Sequence, residues 1–236
     1  LAVVLAENDY EVYGVEINPK VVKDLKAGKP HFHEINLDKL LKRYVNKNLF
    51  ITEKMPEKGI DVFIISVGSP IDKETKKPIL DSVVNSAKTV AENLNDGSLV
   101  ILRSTVPVGT TRKIVKPILD KSGKSYHLAF CPERTIEGKA LTELKELPQI
   151  IGGLDEDSVD KAQDLFRKIT PTIIEVDSLE SAEMVKLLNN TYRDLMFAYA
   201  NEVAMICEKL NLDAVEVIKK ANLGYSRSNI PTPGFV

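Results

Sequence analysis

The sequence predicts an α/β fold with a doubly wound, mainly parallel sheet. Over residues 1–176, short apolar runs typical of strands alternate with helical patterns, and Pro and Gly punctuate the joins. Such alternation indicates βαβ units. The strands are apolar on both faces, as buried parallel strands should be. After residue 176 the pattern changes to a helical stretch without Pro or Gly over 178–210. We therefore expect an α/β domain at 1–176 and a helical segment at 177–236.

The individual elements follow from the period of the apolar residues. The predicted strands are residues 11–17, 62–67, 99–102, 127–130, 149–152 and 172–176. The predicted helices are residues 1–7, 19–27, 37–46, 82–94, 110–121, 157–169, 178–210 and 213–221. Asp213 is the expected N-cap of the last helix, and residues 224–236 are expected to form a loop.

Composition excludes several classes of protein. The 236 residues are 43% hydrophobic and 28% charged, and the net charge is −2. This is an ordinary globular composition, and no basic surplus indicates nucleic-acid binding. No apolar run reaches transmembrane length. Cys131 and Cys207 are far apart, so we expect reduced thiols in a cytoplasmic protein. The run His31-Phe32-His33-Glu34 looks like a metal-ligand set, but with only one further histidine we expect no metal site.

One face of the 178–210 helix is unusual. Lys186, Asn189 and Asn190 are spaced i, i+3 and i+4, so they share a helix face. The apolar residues around them predict a helix that is at least half buried; they are Met184, Val185, Leu187, Leu188, Leu195, Met196 and Phe197. A lysine and two amides in such surroundings need partners. These are either neighbouring backbone groups or a ligand that carries oxygen and negative charge.

Three strand ends carry candidate cofactor contacts. An acidic residue such as Glu16 at a strand end binds the ribose in Rossmann-like dinucleotide domains, although an ordinary solvated glutamate would look the same. The small-residue turn at 67–70 lets a flat ligand approach the backbone, or is a plain turn. Hydroxyls and N–H groups at 103–111 suit an anion or a water, or serve as helix caps through Thr110 or Thr111.

The segment CPERTIEG at 131–138 follows another strand. Its two carboxylates and one arginine suit acid–base work or ligand contacts, and a loop salt bridge is the structural alternative. Cys131 is not expected to act as a nucleophile, because nothing in the flanking sequence explains how its thiolate would form.

Together these motifs resemble the UDP-glucose/GDP-mannose dehydrogenase family of nucleotide-sugar 6-dehydrogenases. The matching segments occur in family order and cover nearly the whole chain. They are YGVEIN, VGSP, RSTVPVGTT, CPERTIEGKAL with LPQIIGG, and AEMVKLLNNTYRDLMFAYANEV. The CPER segment is most similar to the branch that acts on UDP-N-acetyl-D-mannosamine.

The resemblance implies a double oxidation of the sugar C6 alcohol to a carboxylate with NAD as the cofactor. The product would be UDP-N-acetyl-D-mannosaminuronate for surface polysaccharide or glycan synthesis, and UDP-N-acetylglucosamine or UDP-glucose are alternative substrates. The resemblance also implies a 6-phosphogluconate-dehydrogenase-like helical segment and a homodimer formed through the 178–210 helix.

The family pattern also assigns residues. Lys186 and Asn190 would stabilise an oxyanion, Thr105 and Lys186 would hold a water, and Glu133 would be the general base acting through that water. The implied NAD contacts are Glu16, Gly68, Ser69, Pro70, Ser104, Thr105 and Glu137. The implied sugar-nucleotide contacts are Arg134, Thr135, Ile136, Lys186 and Asn190, with Arg227 and Asn229 as further candidates.

Two family segments fall outside the sequence. The resemblance places a GxGxxG loop before Leu1 and the cysteine of a GGxC segment just past Val236, so we expect the 236 residues alone to be inactive. The nearest rival is a β-hydroxyacid dehydrogenase, because Lys186-Leu187-Leu188-Asn189-Asn190 also fits the Lys-x-x-Asn-Asn pattern of that class. A non-catalytic oligomerisation module is the remaining alternative.

Overall fold

The computed structural model describes residues 1–57 and 59–234. Two compact units are distinguished: unit 1, Leu1–Met184, and unit 2, Val185–Val236. The strands of the described residues all lie in unit 1. The predicted α/β architecture is therefore confirmed. Among the helices of the described part, none is long and apolar enough to cross a membrane.

Unit 1 contains two sheets. The first is a parallel pair, β1 (Val12–Val15) with β2 (Leu49–Thr52). The second has five strands in chain order: β3 (Val62–Ile65), β4 (Ser98–Leu102), β5 (Tyr126–Phe130), β6 (Gln149–Gly153) and β7 (Ile173–Val176). Neighbours in this sheet are parallel except β5 and β6, so the predicted mainly parallel arrangement is confirmed.

Burial explains the composition of the central strands. Every residue of β4 and of β6 is buried, which is why these runs are apolar on both faces. Because β3, β4 and β5 are parallel neighbours, the loops that follow them leave from the same edge of the sheet. This edge is where the sequence places most of its candidate site residues.

Among the described residues of unit 1, α1 to α7 accompany the strands. They are α1 (Ala2–Glu7), α2 (Pro19–Lys26), α3 (Leu37–Tyr44), α4 (Asp81–Glu92), α5 (Lys116–Leu119), α6 (Ala140–Glu146) and α7 (Glu156–Phe166). Asn18 caps α2 and Asp155 caps α7, each by accepting backbone N–H groups of the first turn. A shared core joins α1, α3 and α7 to the sheets, with Val4, Leu41 and Phe166 among its buried members.

The predicted helix at 110–121 is not regular. A π-helical turn, Thr111–Val115, precedes α5, and a 3-10 turn, Asp120–Ser122, follows it. Pro117 lies inside this segment, has no N–H to donate, and would clash with the preceding turn of an α-helix. The backbone N–H of Lys116 bonds instead to the carbonyl of Thr111, five residues back.

Gly152 and Gly153 allow close packing at the end of β6. A Cβ atom at Gly152 would lie 2.2 Å from the carbonyl oxygen of Ser178, and one at Gly153 would lie 2.5 Å from a methyl group of Val159. Neither backbone position leaves room for a side chain. The pair therefore lets α7 and the residues just after β7 approach the sheet directly.

The long helix is present as predicted: α8 runs over Leu179–Lys209, and α9 over Ala214–Asn222 with Asp213 as its N-cap. The expected burial around Lys186 is confirmed only in part, however. Met184, Leu188 and Leu195 are exposed, and none of the other four apolar neighbours is fully buried. Unit 2 offers few elements to cover a helix of this length, because its described residues outside α8 are only α9 and a short tail.

Candidate functional site

The loops after β3 and β4 are joined by crossed hydrogen bonds. The Ser69 hydroxyl donates to the carbonyl oxygen of Thr105, and the Ser104 hydroxyl donates to that of Val67 at 2.7 Å. The structure thus brings together the predicted cofactor residues of the two loops. A Cβ atom at Gly68 would meet nothing within 4 Å, so the chain presents bare backbone to open space there.

The β4–α5 junction contains a fully buried carboxylate. Glu183, in the second turn of α8, is 0% exposed. Its carboxylate accepts from the backbone N–H of Gly109, from the N–H of Thr111 at 2.8 Å and from the Thr111 hydroxyl at 2.6 Å. The sequence suggested that these groups suit an anion. These N–H and hydroxyl groups are buried, and the acceptor that they bind is the side chain of Glu183 in the same chain.

Arg103 connects the ends of β4 and β5. Its guanidinium is buried and donates to Gln149 at 3.0 Å and to Glu133 at 2.8 Å. It also lies 5.1 Å from the ring centroid of Phe166, within cation–π range. Because Arg103 comes two residues before Thr105, this ion pair links the two predicted catalytic residues of unit 1.

The ion pair sets the charge state of Glu133. Burial alone would raise the pKa of this carboxyl, but the charge and hydrogen bond of Arg103 outweigh it, and the N–H groups of Thr135 and Arg134 act in the same direction. The pKa of Glu133 is therefore lowered, so the side chain is ionised at neutral pH. Its side chain remains 38% exposed, so it is open to solvent on one side.

Three carboxylates hold the backbone of the β5–α6 loop, residues 131–139. Glu133 accepts from the N–H groups of Arg134 and Thr135 at 2.9 and 3.1 Å. Two further acceptors lie outside the loop. Glu143 accepts from Ile136 N–H at 2.7 Å, and Glu34 accepts from Gly138 N–H at 2.9 Å. Within this loop Arg134 and Thr135 are half-buried, whereas Ile136 and Glu137 are exposed.

Glu16 follows β1 directly, as predicted. Its carboxylate accepts from the backbone N–H of Asn18 at 2.8 Å, next to the N-terminus of α2. The side chain is half-buried. The position suits a ribose contact, and the carboxylate also has a structural use in shaping the turn before α2.

Neither cysteine is suited to be a nucleophile. Burial raises the pKa of the fully buried Cys131 thiol to about 12, and the nearby Arg103 charge offsets only part of this effect. Cys207 is also buried and unpaired. In the described residues no group of three or more His, Cys, Asp or Glu could hold a metal. In the run at 31–34, Glu34 is buried and accepts from backbone N–H groups.

The predicted residues of unit 2 fall on α8 and on the loop after α9. Lys186 and Asn190 lie on one helix face and are half-buried, whereas Asn189 is exposed. Arg227 and Asn229 are exposed in the loop, where the Arg227 guanidinium lies 4.9 Å from the Tyr225 ring centroid.

Two asparagines fix the chain around that loop. The Asn222 amide donates to the carbonyl of Ile230 at 2.8 Å and accepts from its N–H at 2.9 Å. The Asn201 amide bonds in the same way to Gly234, at 2.9 and 3.0 Å. Each side-chain amide therefore donates to and accepts from the main chain of one residue, as the backbone of a neighbouring β-strand does.

Sequence reasoning missed the residues that support the site. They are Glu34, Arg103, Gln149, Glu183, Asn201 and Asn222. A weak signal existed for Glu183, which stands between Ala182 and Met184 in an apolar helix stretch, since a buried charge needs partners.

Comparisons with known proteins agree with this geometry. Residues 1–170 match the NAD binding domain of the UDP-glucose/GDP-mannose dehydrogenase family, and residues 180–235 match its central domain. The chain is 38% identical to a UDP-N-acetyl-D-mannosamine dehydrogenase of Methanococcus maripaludis, over 99% of the chain and 54% of that protein. A Campylobacter jejuni protein of the same name is 36% identical, over 99% of the chain and 60% of its own length.

A solved structure gives the same result. The UDP-D-ManNAc dehydrogenase of Pyrococcus horikoshii superposes with a TM-score of 0.92 at 34% identity, over 99% of this chain and 56% of that one. The chain spans just over half the length of these relatives. It belongs to the UDP-glucose/GDP-mannose dehydrogenase family, and residues 1–170 are the family's NAD binding domain.

Proposed function

We propose that this chain is the cofactor-binding and central part of an NAD-dependent nucleotide-sugar 6-dehydrogenase. The substrate would be UDP-N-acetyl-D-mannosamine, whose C6 alcohol is oxidised in two steps to a carboxylate for surface polysaccharide or glycan synthesis. The observation that carries the proposal is the set of side chains at the β3–β5 edge, with an ionised Glu133 paired to Arg103 beside Thr105. The names of the relatives support the choice of sugar.

Residues 1–176 would form the NAD-binding domain, and 177–236 a central segment for substrate contact and dimerisation. When bound, NAD+ accepts hydride from the sugar. Gly68, Ser69 and Pro70 would line its site together with Ser104 and Thr105, where the crossed hydrogen bonds fix the two loops and Gly68 leaves room for a flat ligand.

Two acidic residues would complete the cofactor site. Glu16 would bind the ribose hydroxyls and disfavour a 2′-phosphate, so that NAD rather than NADP is used. Glu137, which is exposed in the β5–α6 loop, would contact the cofactor from the other side.

The reaction at the sugar C6 would depend on charged and polar groups that are in position before the substrate reacts. Lys186 and Asn190 supply a cation and an amide N–H from one helix face, and such donors stabilise an oxyanion. Thr105 would hold a water. Glu133 would accept a proton from that water, and the lowered pKa keeps Glu133 in the ionised form that can do so. Arg134, Thr135 and Ile136 would contact the sugar nucleotide, together with Arg227 and Asn229.

A substrate panel on the full-length protein tests the proposal. NADH formation is followed with UDP-N-acetyl-D-mannosamine, UDP-N-acetylglucosamine, UDP-glucose and GDP-mannose. We expect the first to give the highest kcat/KM. Faster turnover of UDP-glucose would reject the proposed sugar, and no turnover of any nucleotide sugar would reject the activity.

A lysine variant tests the assignment of the helix face. Lys186→Met should lower kcat by about 100- to 1,000-fold, the usual cost of losing one oxyanion donor. Lys209→Met is the matched control, because Lys209 is an exposed lysine at the far end of the same helix. Equal activities of the two variants would contradict the role of Lys186.

The protein is further proposed to be a cytoplasmic homodimer. Exposed apolar residues on α8 follow a 4-3-4 spacing and form a stripe; they are Leu188, Tyr192, Leu195 and Tyr199. This spacing is typical of a helix that packs against another helix, as across a two-fold axis. The two free cysteines support a reducing compartment.

Light scattering on the full-length protein tests the dimer. The wild type should have the mass of two chains, and Leu195→Glu should shift it toward one. Lys209→Glu, a charge change outside the stripe, should leave the mass unchanged. A monomeric wild type would contradict the proposed dimer.

A further inference from the structure

Glu34 is a buried acid in an otherwise exposed loop. It belongs to the connection between α2 and α3, where Phe32 is 45% and Ile35 is 60% exposed. Glu34 itself is only 7% exposed. Burying an ionisable side chain is costly unless it makes hydrogen bonds, so its partners indicate what it is for.

Those partners are backbone groups more than a hundred residues away. One carboxylate oxygen accepts from the N–H of Gly138 at 2.9 Å, and the other accepts from the N–H of Leu141 at 3.3 Å. The Gly138 backbone has a φ of +86°, a conformation that favours glycine. Glu34 therefore binds the end of the β5–α6 loop at the turn that contains Gly138.

Glu34 also replaces a missing helix cap. Lys139 stands at the N-cap position of α6 and makes no side-chain capping bond. The bond from Leu141 N–H to Glu34 satisfies one of the first-turn donors of α6 that a cap residue would otherwise take. One side chain thus fixes both the loop end and the helix that follows it.

The segment held in this way is the proposed substrate loop. Glu133 and Glu143 fix its first half through the N–H groups of residues 134–136. Glu34 fixes its second half at Gly138. Without Glu34, Gly138 and the first turn of α6 would lose this attachment. Because Glu143 reaches Ile136 from α6, the position of residues 134–136 would then depend on a helix that is less firmly held.

We propose that Glu34 is a positioning residue for the sugar nucleotide, acting through the β5–α6 loop. This inference rests on the proposed function, because it takes the loop as the substrate contact. Glu34 acts on the loop backbone and does not touch the reacting atoms. Its effect should therefore appear in sugar-nucleotide binding and leave cofactor binding unchanged.

Steady-state kinetics and cofactor binding of the full-length protein test whether Glu34 affects sugar-nucleotide binding and leaves cofactor binding unchanged. Glu34→Ala should raise KM for UDP-N-acetyl-D-mannosamine by about tenfold, since small misplacements of positioning groups have effects of up to about 100-fold. The dissociation constant of NADH, measured by fluorescence, should change by less than about twofold, because a residue outside the cofactor contacts contributes little to that binding. Glu34→Gln keeps the side-chain size and one acceptor, so its KM should lie between those of Glu34→Ala and the wild type.

Glu7→Gln is the matched control. Glu7 also ties a distant segment to α6, but through a side-chain bond to Lys145 at 2.7 Å, away from the loop. It should leave KM for the sugar nucleotide unchanged. A second measurement is limited trypsin cleavage after Arg134 and Lys139, which lie in the loop. This cleavage should be faster in Glu34→Ala than in the wild type or Glu7→Gln.

The possible outcomes separate the two proposals. An active wild type with an unchanged KM in Glu34→Ala would overturn the role of Glu34 alone. Parallel changes in KM, kcat, NADH binding and melting temperature would also overturn it, because they would indicate general destabilisation. A wild type that oxidises no nucleotide sugar would overturn the proposed function and the substrate role together, while the trypsin result would still show whether Glu34 holds the loop.

Discussion

The loops after β4 and β5 leave the same sheet edge and are both held by carboxylates, but in different ways. A single carboxylate, the fully buried Glu183, takes three donors of the first loop. The second loop is held by Glu34, Glu133 and Glu143, and two of these three are only partly buried. The Gly109–Thr111 end of the first loop therefore depends on one buried carboxylate, whereas the second loop is held by several.

The difference matches what each loop is proposed to do. In the proposed function, the β4 loop would hold Ser104 and Thr105 against the cofactor, whose shape is the same in every turnover. The β5–α6 loop would hold residues 134–136 against the sugar. A distributed support lets one attachment change without releasing the whole loop, so sugar specificity can vary while cofactor geometry is kept.

Glu183→Ala should have the largest effect on stability. It leaves three buried donors without an acceptor, and each such group costs about 1–3 kcal/mol. We expect the free energy of unfolding, measured by urea denaturation, to fall by more than about 3 kcal/mol. Glu180→Ala is the control one turn away, where the lost ion pair with Arg112 is partly exposed and contributes about 1 kcal/mol or less. Similar losses in both variants would mean that burial of Glu183 does not matter.

Arg103→Met should have the next largest effect, about 2 kcal/mol, because it removes the partner of a partly buried carboxylate and leaves Gln149 without a donor. The sign of the pH dependence follows from the lowered pKa of Glu133. Its contribution is complete above the unfolded-state pKa and is lost as pH falls through the folded-state pKa. The stability difference between wild type and variant should therefore narrow on acidification. A stability difference that widens toward low pH would contradict the ion pair between Arg103 and Glu133.

Asp155→Ala gives a reference for a carboxylate that belongs to neither loop. Asp155 caps α7, and its pKa is lowered mainly by the hydrogen bond from the Ser158 hydroxyl. Losing such a cap costs about 1 kcal/mol at neutral pH. The cost should shrink as pH falls through the lowered folded-state pKa of Asp155, where the carboxylate becomes protonated. Asp164→Ala, an exposed change in the same helix, should be close to neutral. A pH-independent loss in Asp155→Ala would contradict the charged cap.

His33→Ala and Ile35→Ala should have the smallest effects. Both residues flank Glu34 but are exposed, and such changes usually alter stability by less than about 0.5 kcal/mol. Thermal unfolding measures this directly. A large loss of stability in either variant would mean that residues beside Glu34 also hold the α2–α3 connection in place. The contrast between the supports of the β4 loop and of the β5–α6 loop would then weaken.

Local pattern was sufficient for much of the fold. The apolar runs that became β4 and β5 are flanked by clear turn signals, and Asp213 marks the start of α9. Two elements were missed: β2, which has four residues, and α6, which has seven. The irregular helix at residues 111–122 was not predicted, because Pro117 is one residue in an otherwise helical pattern.

The site divides in the same way. The turns that are proposed to contact the cofactor could be located in the sequence because each follows a strand, and strand ends are visible in the sequence. The supports were not predicted, because Glu34 and Gly138 lie 104 residues apart, and Glu183 and Gly109 lie 74 apart. Nothing in a single sequence states which distant backbone N–H a buried carboxylate will meet.

The paired amides of unit 2 have a consequence for which sequences the tail can accept. Asn222 and Asn201 bond only to the main chain of Ile230 and Gly234, so the attachment does not depend on which side chain these positions carry. Proline is the exception, because it has no N–H to donate. Ile230→Val should keep the tail in place, whereas Ile230→Pro should release it. Because amides do not titrate, this attachment should not depend on pH.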